Sequence, residues 1–270
     1  MKVLLTNDDG IQATGLNEMR RALAAIEDIE LAVIAPNGNR SAIGRGITTR
    51  EPLWVEEIAF GDGTTGFATD GTPVDCVRFA SLGLIPFQPE LIVAGINHGA
   101  NLGDDITYSG TVAAALEGVV LGIPAIAASQ QSEGRAMDFA SGHDFDFHQA
   151  AAFVARMVEE IEGVPLPPGT LLNVNCPAGD ARGARACRLG KRIYRDRLEL
   201  SEEDNGRRRY RIYGDYPGYE EEEGTDFEAV AEGLIAVTPL HFDLTDRGSI
   251  EALGGYDLDR LLAPAAREVE

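Results

Sequence analysis

Lysine is almost missing from this chain: Lys2 and Lys191 are the only two, and every other cationic side chain is arginine. Against 23 Lys and Arg stand 44 Asp and Glu, which gives a formal net charge of -21 at pH 7 and a pI near 4.5. Such a surface repels a phosphodiester backbone, which has to be neutralised by clustered Lys and Arg. A polymeric nucleic acid is therefore excluded as a general partner. The acidic residues are spread along the chain, a pattern that suits high salt, where repulsion is screened; a genome that favours arginine codons accounts for it equally well. Cysteine is scarce too. Cys76, Cys176 and Cys187 form an odd set without CxxC spacing, so neither a disulfide framework nor a zinc site is signalled. His98, His143, His148 and His241 show no i,i+4 pairing and read as structural, with His98 the exception because of its loop. No run reaches the roughly 18 apolar residues of a membrane span. The apolar start Val3-Leu4-Leu5 meets Asn7-Asp8-Asp9 too soon for a signal peptide, and a cytoplasmic, membrane-free protein is expected.

What the chain does have is an alternation of buried strands and amphipathic helices over 270 residues. Val3-Leu4-Leu5-Thr6 reads as a strand entering the Asn-Asp-Asp-Gly turn. Leu16, Met19, Leu23 and Ile26 share one face of a 3.6-residue period, and Leu31 to Ala35 is a second strand ending at Pro36. The pattern returns with strand Leu91 to Gly95, a helix carrying Val112, Ala115, Leu116, Val119 and Val120, and strand Ala125 to Ala128. A helix from about His143 to Glu162 and a strand Leu171 to Asn175 follow. The expected fold is α/β, Rossmann-like, with a mostly parallel sheet covered by helices on both faces. Residues 1–185 form this core. Residues 186–270 are expected to add an antiparallel hairpin extension, built from pieces such as 209–213 and 234–237 around the solvated Glu220–Glu223 run, within the same globular unit.

Ligands in such sheets lie outside the carboxyl ends of the strands, which directs attention to the loops after residues 6, 35 and 95. Asp8 and Asp9 repel one another unless they share a cation or a proton, and oxygen donors suit Mg²⁺, Mn²⁺ or Ca²⁺; a plain Asn-Asp-Gly turn is the alternative. The loop from Pro36 to Gly44 offers Ser41 as a metal ligand or helix cap and Arg40 as an anion partner. In the glycine-rich loop after residue 95, Asn97 is nearest the strand end and offers an amide oxygen. Ser109-Gly110-Thr111 opens a helix whose free N–H groups suit a phosphate, though plain N-capping explains the same residues. The functional reading gains from convergence of these loops and one helix start at one edge. No Walker lysine occurs there. Gly61 to Gly66 fits GxGxxG by letter but reads as a hairpin turn, since no buried strand leads into it and no helix opens after it. Trp54 and Phe60 read as core or interface residues rather than a base-stacking platform.

These residues fall in the motifs TNDDG at 6–10, APxxNRS at 35–41, GTPVDCV at 71–77, GINxGANxGDD at 95–105, YSGTVAAALEG at 108–118 and NVNCP at 173–177. In order and spacing they resemble the SurE (survival protein E) family of divalent-metal-dependent nucleotidases, over the chain to about residue 180. The resemblance implies hydrolysis of nucleoside 5′-monophosphates, and of 3′-monophosphates as a further activity. It implies a divalent cation, Mg²⁺, Mn²⁺ or similar, held by Asp8, Asp9, Ser41 and Asn97. It places Asn101, Ser109, Gly110 and Thr111 around the phosphate, with Asp8 or Asp9 as acceptor of the attacking water's proton. His98 is a weaker candidate for assisting the leaving alkoxide, because the family motif does not require histidine there. One departure is Ala42-Ile43 after Ser41, where the family often has glycine. The family also suggests exchange of C-terminal segments into a homodimer that pairs into a homotetramer, with Tyr210, Ile212, Tyr213, Tyr216 and Tyr219 as contact area and Arg207 to Arg209 facing acidic surface. Two rivals stand well below this reading. A phosphorelay receiver would need a lysine after its last strand, and a dinucleotide-binding oxidoreductase a glycine-rich first turn in place of Asn-Asp-Asp-Gly.

Overall fold

The structure, a computed structural model, describes residues 1–132, 145–212 and 217–262. In chain order it comprises β1 (Lys2–Thr6), α1 (Thr14–Ala24), β2 (Glu30–Pro36), β3 (Val55–Ala59), β4 (Thr65–Thr69), α2 (Pro73–Ser81), β5 (Leu91–His98) and α3 (Gly110–Val120). There follow β6 (Ala125–Gln130), α4 (His148–Glu159), β7 (Thr170–Cys176), β8 (Ala184–Ala186), β9 (Arg192–Ile193), β10 (Glu199–Asp204) and β11 (Arg207–Arg211). The tail adds β12 (Gly218–Tyr219), α5 (Asp226–Ala231), β13 (Ile235–His241) and α6 (Arg247–Gly254). The main sheet runs β3-β4-β2-β1-β5-β6-β7-β13-β8. β1 pairs in parallel with both β2 and β5, and β5, β6 and β7 continue in parallel. Only β3 against β4 and β13 against β7 run antiparallel within it.

The expected doubly wound core is present, and β1 shows why its strands are apolar throughout. Val3 and Leu5 point into one core with Leu16, Met19 and Leu23 of α1 and Val154 and Val158 of α4. Leu4 points the other way, toward Val77 and Ala80 of α2 and Val112 and Ala115 of α3. Successive side chains of a strand face opposite sides, so Val3, Leu4 and Leu5, covered on both faces, are all apolar. Chain order reverses between β1 and β5: the path goes from β1 outward to β2, then crosses to β5 on the other side. That switch point is where such a sheet opens a crevice at its carboxyl edge.

Three expectations shift at the boundaries. The helix expected from about His143 is described only as α4, His148–Glu159; residues 143 and 144 lie outside the described residues, as do Tyr213 and Tyr216. Residues 234–237 do not belong to an antiparallel hairpin in the tail. Residues 235–237 begin β13, which pairs with β7 and with β8 in the main sheet, because Ala236, Val230 and Phe227 form a small core with Leu102. The sheet thus runs past residue 185 without a break. The hairpin that does exist is β10–β11, in which Arg208 meets Glu203 and Arg209 meets Glu202. Gly61 to Gly66 is the β3–β4 turn, with the Phe60 N–H donating to the Thr64 carbonyl. Phe60 is buried in the core, whereas Trp54 is 82% exposed and belongs to no core.

Candidate active site

β1 ends at Thr6, and Asn7 then closes a local ring: its side-chain oxygen accepts the Gly10 N–H at 3.1 Å, and its amide donates to the Gly10 carbonyl at 3.0 Å. This turn presents Asp8 and Asp9 at the switch point. Gly10 is at φ +107°, and a Cβ there would stand 3.1 Å from the backbone of Gly38, so only glycine lets the loop after β2 approach. The Arg40 N–H donates to the Asp8 carbonyl at 2.6 Å, and the Asn39 amide reaches Asp9 Oδ1 at 3.4 Å. On the other side β5 brings the His98 N–H to Asp9 Oδ2 at 3.0 Å.

Helix α3 completes the arrangement. Gly110 opens it so closely against Asp8 that a Cβ would lie 2.7 Å from the Asp8 Cβ and 2.8 Å from its Oδ2. The Thr111 hydroxyl donates to Asp8 Oδ1 at 2.5 Å, and Ser109 caps the helix by accepting the Val112 N–H at 3.1 Å. Both hydroxyls expected near the phosphate are thus engaged, one with the carboxylate and one with the cap. What α3 leaves facing the crevice is its first backbone N–H groups and its dipole.

Burial, followed by the charge of Asp9, raises the Asp8 carboxyl from 3.8 to about 6, against the lowering effect of Thr111. Burial likewise raises Asp9 to about 6, against the lowering effect of the His98 N–H. The pair is an electrostatic conflict that a shared proton or a cation relieves. Asp8 Oδ1 is held by the Thr111 hydroxyl and Asp9 Oδ2 by the His98 N–H, while Asp9 Oδ1 meets only the longer contact from the Asn39 amide at 3.4 Å. Among the described residues no group of three or more His, Cys, Asp or Glu gathers to hold a metal. A cation here would therefore rest on two carboxylates and neutral oxygens, a donor set that fits a hard divalent ion.

Asn97 lies at the end of β5, half-buried, with its amide donating to the Gly99 carbonyl at 2.8 Å. That bond turns its amide oxygen away from the backbone it braces. Ser41 is exposed on the loop after β2, where its N–H donates to Asn39 Oδ1 at 2.8 Å. Asn101 is buried: its N–H donates to Asn175 Oδ1 at 2.7 Å and its amide to Ser129 Oγ at 2.8 Å. Asn173 and Asn175 in turn both donate to the Asn101 carbonyl. His98 accepts the Gly15 N–H at 3.3 Å and lies against Phe145 and Phe147, so its ring ties α1 to β5.

Several supporting residues escaped the sequence reading. Thr111 as the partner of Asp8 was hidden because a threonine at a helix start reads as a cap. The Gly103 N–H and Gly190 N–H both donate to Asp226, and Arg192 and Tyr194 bind Asp105, so the tail pins the loop that carries Asn101. The available signal was the pair Asn173 and Asn175 inside a buried strand, polar residues that have to find partners.

A profile described as "Survival protein SurE" matches residues 3–196. The chain is 49% identical over 267 residues to a protein of Rubrobacter xylanophilus named "5'-nucleotidase SurE", covering 97% of this chain and 99% of that one. It is 43% identical over 261 residues to the protein of the same name from Geobacter sulfurreducens, covering 96% of this chain and 94% of that one. Among solved structures it is similar to the SurE protein from Aquifex aeolicus, with a TM-score of 0.75 and 36% identity, covering 94% of this chain and 100% of that one.

Proposed function

The chain belongs to the SurE family, and from the site just described we propose that it is a divalent-metal-dependent nucleotidase that hydrolyses nucleoside 5′-monophosphates to nucleoside and phosphate, with 3′-monophosphates as further substrates. The observation that carries this reading is the placement of the Asp8–Asp9 pair against the N-terminus of α3 at the sheet's switch point. Relatives at this similarity bear the name of a 5′-nucleotidase, and the enzyme is a phosphoric monoester hydrolase.

Asp8, Asp9, Ser41 and Asn97 would hold the cation. When bound, the ion neutralises phosphoryl charge and lowers the pKa of water. The chain's own part is positional. Thr111 orients Asp8, and the backbone of His98 orients Asp9. The N–H groups of Ser109 and Gly110, with the α3 dipole, cradle the phosphoryl oxygens, while the Thr111 N–H serves Asp8, and Asn101 fixes the loop that borders them. Asp8 or Asp9 would take the proton of the attacking water; Asp9 is the less buried of the two. The test is phosphate release from nucleoside 5′- and 3′-monophosphates and an aryl phosphate, each with Mg²⁺, Mn²⁺, Co²⁺ or chelator. Turnover that persists in chelator overturns the metal dependence, and failure on every nucleotide overturns the activity.

We also propose a homodimer or homotetramer formed through the tail. The reading is supported by exposed apolar residues there, among them Leu198, Leu200, Tyr210 and Ile212. Tyr219, half-buried, stacks on Phe227 of its own chain at 4.9 Å. Among the described residues no helix is long and apolar enough to cross a membrane.

A further inference from the structure

Trp54 is the only tryptophan in the chain, and its 82% exposure is unusual for so large an apolar side chain. Its neighbours explain why it cannot turn inward. Leu53 packs toward Gly71, whose added Cβ would lie 2.9 Å from the leucine, and Val55 begins β3 opposite Thr69. The Trp54 N–H is itself held by Asp70 Oδ1 at 2.9 Å. The indole therefore stands at the surface on a fixed backbone. It lines a cavity of about 360 Å³ together with Asn37, Glu56 and Asp70.

This cavity adjoins the Asp8 site through Arg40. The guanidinium of Arg40 donates to Asn37 Oδ1 at 3.0 Å and to the Asp70 carbonyl at 3.1 Å, while its backbone N–H holds the Asp8 carbonyl at 2.6 Å. Two lining residues of the cavity, Asn37 and Asp70, are thus partners of the Arg40 side chain, which also donates to the Asn39 carbonyl at 3.2 Å. The strand order β3-β4-β2-β1 sets the scale: at ~4.8 Å per strand, the Asn37 wall lies about one strand spacing from β1 and the Trp54 wall about three. Phosphate, sugar and base in series extend across such an interval.

We propose that Trp54 is the stacking platform for the nucleobase of the substrate, with Asn37, Glu56 and Asp70 offering hydrogen-bonding groups to the base edge. The inference rests on the nucleotidase reading for what the site holds. The 82% exposure of Trp54 removes it from the core, and a contact between copies is the rival that the test decides. An aromatic face accepts any base, purines more strongly for their larger area, so the site gives breadth among nucleotides together with discrimination against phosphate esters that lack a base. Arg40, bridging the two parts, marks where the sugar passes.

The test compares kcat/KM for adenosine 5′-monophosphate with that for ribose 5-phosphate in the wild type, Trp54→Ala and Trp54→Phe. Loss of one base–aromatic stack lowers the preference for the nucleotide about tenfold in Trp54→Ala, and Trp54→Phe keeps most of it. Because the chain has a single tryptophan, adenosine titrated into the chelated protein quenches its fluorescence saturably, whereas ribose does not. A preference that Trp54→Ala leaves intact overturns the proposal, as does fluorescence that adenosine does not change. If light scattering shows that Trp54→Ala breaks an oligomer while the preference stands, Trp54 is a contact between copies and the proposal falls. If no phosphate ester is hydrolysed the nucleotidase reading falls, and the adenosine titration then decides the role of Trp54 separately.

Discussion

In the metal-free protein the carboxylates that make the site should weaken the fold, and Asp9→Asn should therefore stabilise it. Asp9 is raised from 3.8 to about 6 by burial, and Asp8 from 3.8 to about 6 by burial and then by Asp9. A raised carboxyl binds its proton more tightly in the folded than in the unfolded chain. Stability is then greatest below the unfolded pKa, declines as pH rises from about 4 to about 6, and stays diminished above that, the reverse of a salt-bridged carboxylate. Two units correspond to about 3 kcal/mol at neutral pH. Because the two groups share one conflict, that figure describes relief of the pair and is not counted once for each residue.

Asparagine at position 9 removes the charge and keeps an oxygen for the His98 N–H, though a neutral acceptor is weaker by about 1 kcal/mol. The net expectation is a gain of about 1–2 kcal/mol in chelator at pH 7.5, or a rise in Tm of roughly 2–6 °C for a chain of this size. The assay is thermal unfolding of wild type and Asp9→Asn, in chelator, at pH 7.5 and pH 4.5. The advantage of the mutant should shrink at the lower pH, where the wild-type pair is protonated. Saturating Mn²⁺ should reverse the order at pH 7.5, since only the wild type gains the full binding free energy of the ion. A mutant that melts at or below the wild type in chelator at pH 7.5, or by a margin independent of pH, refutes the reasoning.

Asp8→Asn should lower kcat/KM for nucleoside monophosphates roughly 10²–10³-fold, as expected for loss of a preorganised charge, while circular dichroism shows an intact fold. Thr111→Val leaves Asp8 without its hydroxyl donor and should weaken the metal about 10- to 100-fold, read as the Mn²⁺ concentration for half-maximal activity; an unchanged value would reduce Thr111 to a helix residue. Gly110→Ala forces a methyl against Asp8 and should cost about 1–3 kcal/mol of stability as well as activity, measurable by denaturant unfolding. If the acidic surface answers to salt, Tm should rise from low to molar KCl as repulsion is screened, and a flat or falling curve favours codon bias.

The parts of this molecule that could be read from sequence are those in which one physical demand dominates. Strand β1 had to be apolar on both faces, and the residues that follow had to leave the sheet at its carboxyl edge, so the placement of Asp8 and Asp9 could be inferred from Val3 to Thr6 alone. Helix α1 announced itself by Leu16, Met19 and Leu23, all fully buried. Within the tail the hairpin was legible, but the piece at 234–237 was misplaced because β13 is a strand whose partners, β7 and β8, are set by tertiary contact. Nothing local in Ile235 to Val237 distinguishes a sheet member from a hairpin arm.

At the site the same division appears one level down. Residue types told which side chains carry oxygen donors, but a hydroxyl near a helix start has several competing acceptors, and only the close approach of α3 to Asp8 decides among them. Gly110 is the residue that permits this approach, and glycine before a helix carries no local sign of what it makes room for. Trp54 is the converse case. Hydrophobicity alone assigns a tryptophan to a core or an interface, and it takes the anchoring of Leu53, Val55 and the Asp70 carboxylate to show that this one is held facing outward. The oxygen donors of the site were thus legible in the types of its residues, whereas which of them hold the helix and which are left for the proposed cation and base is set by distances between segments far apart in the chain.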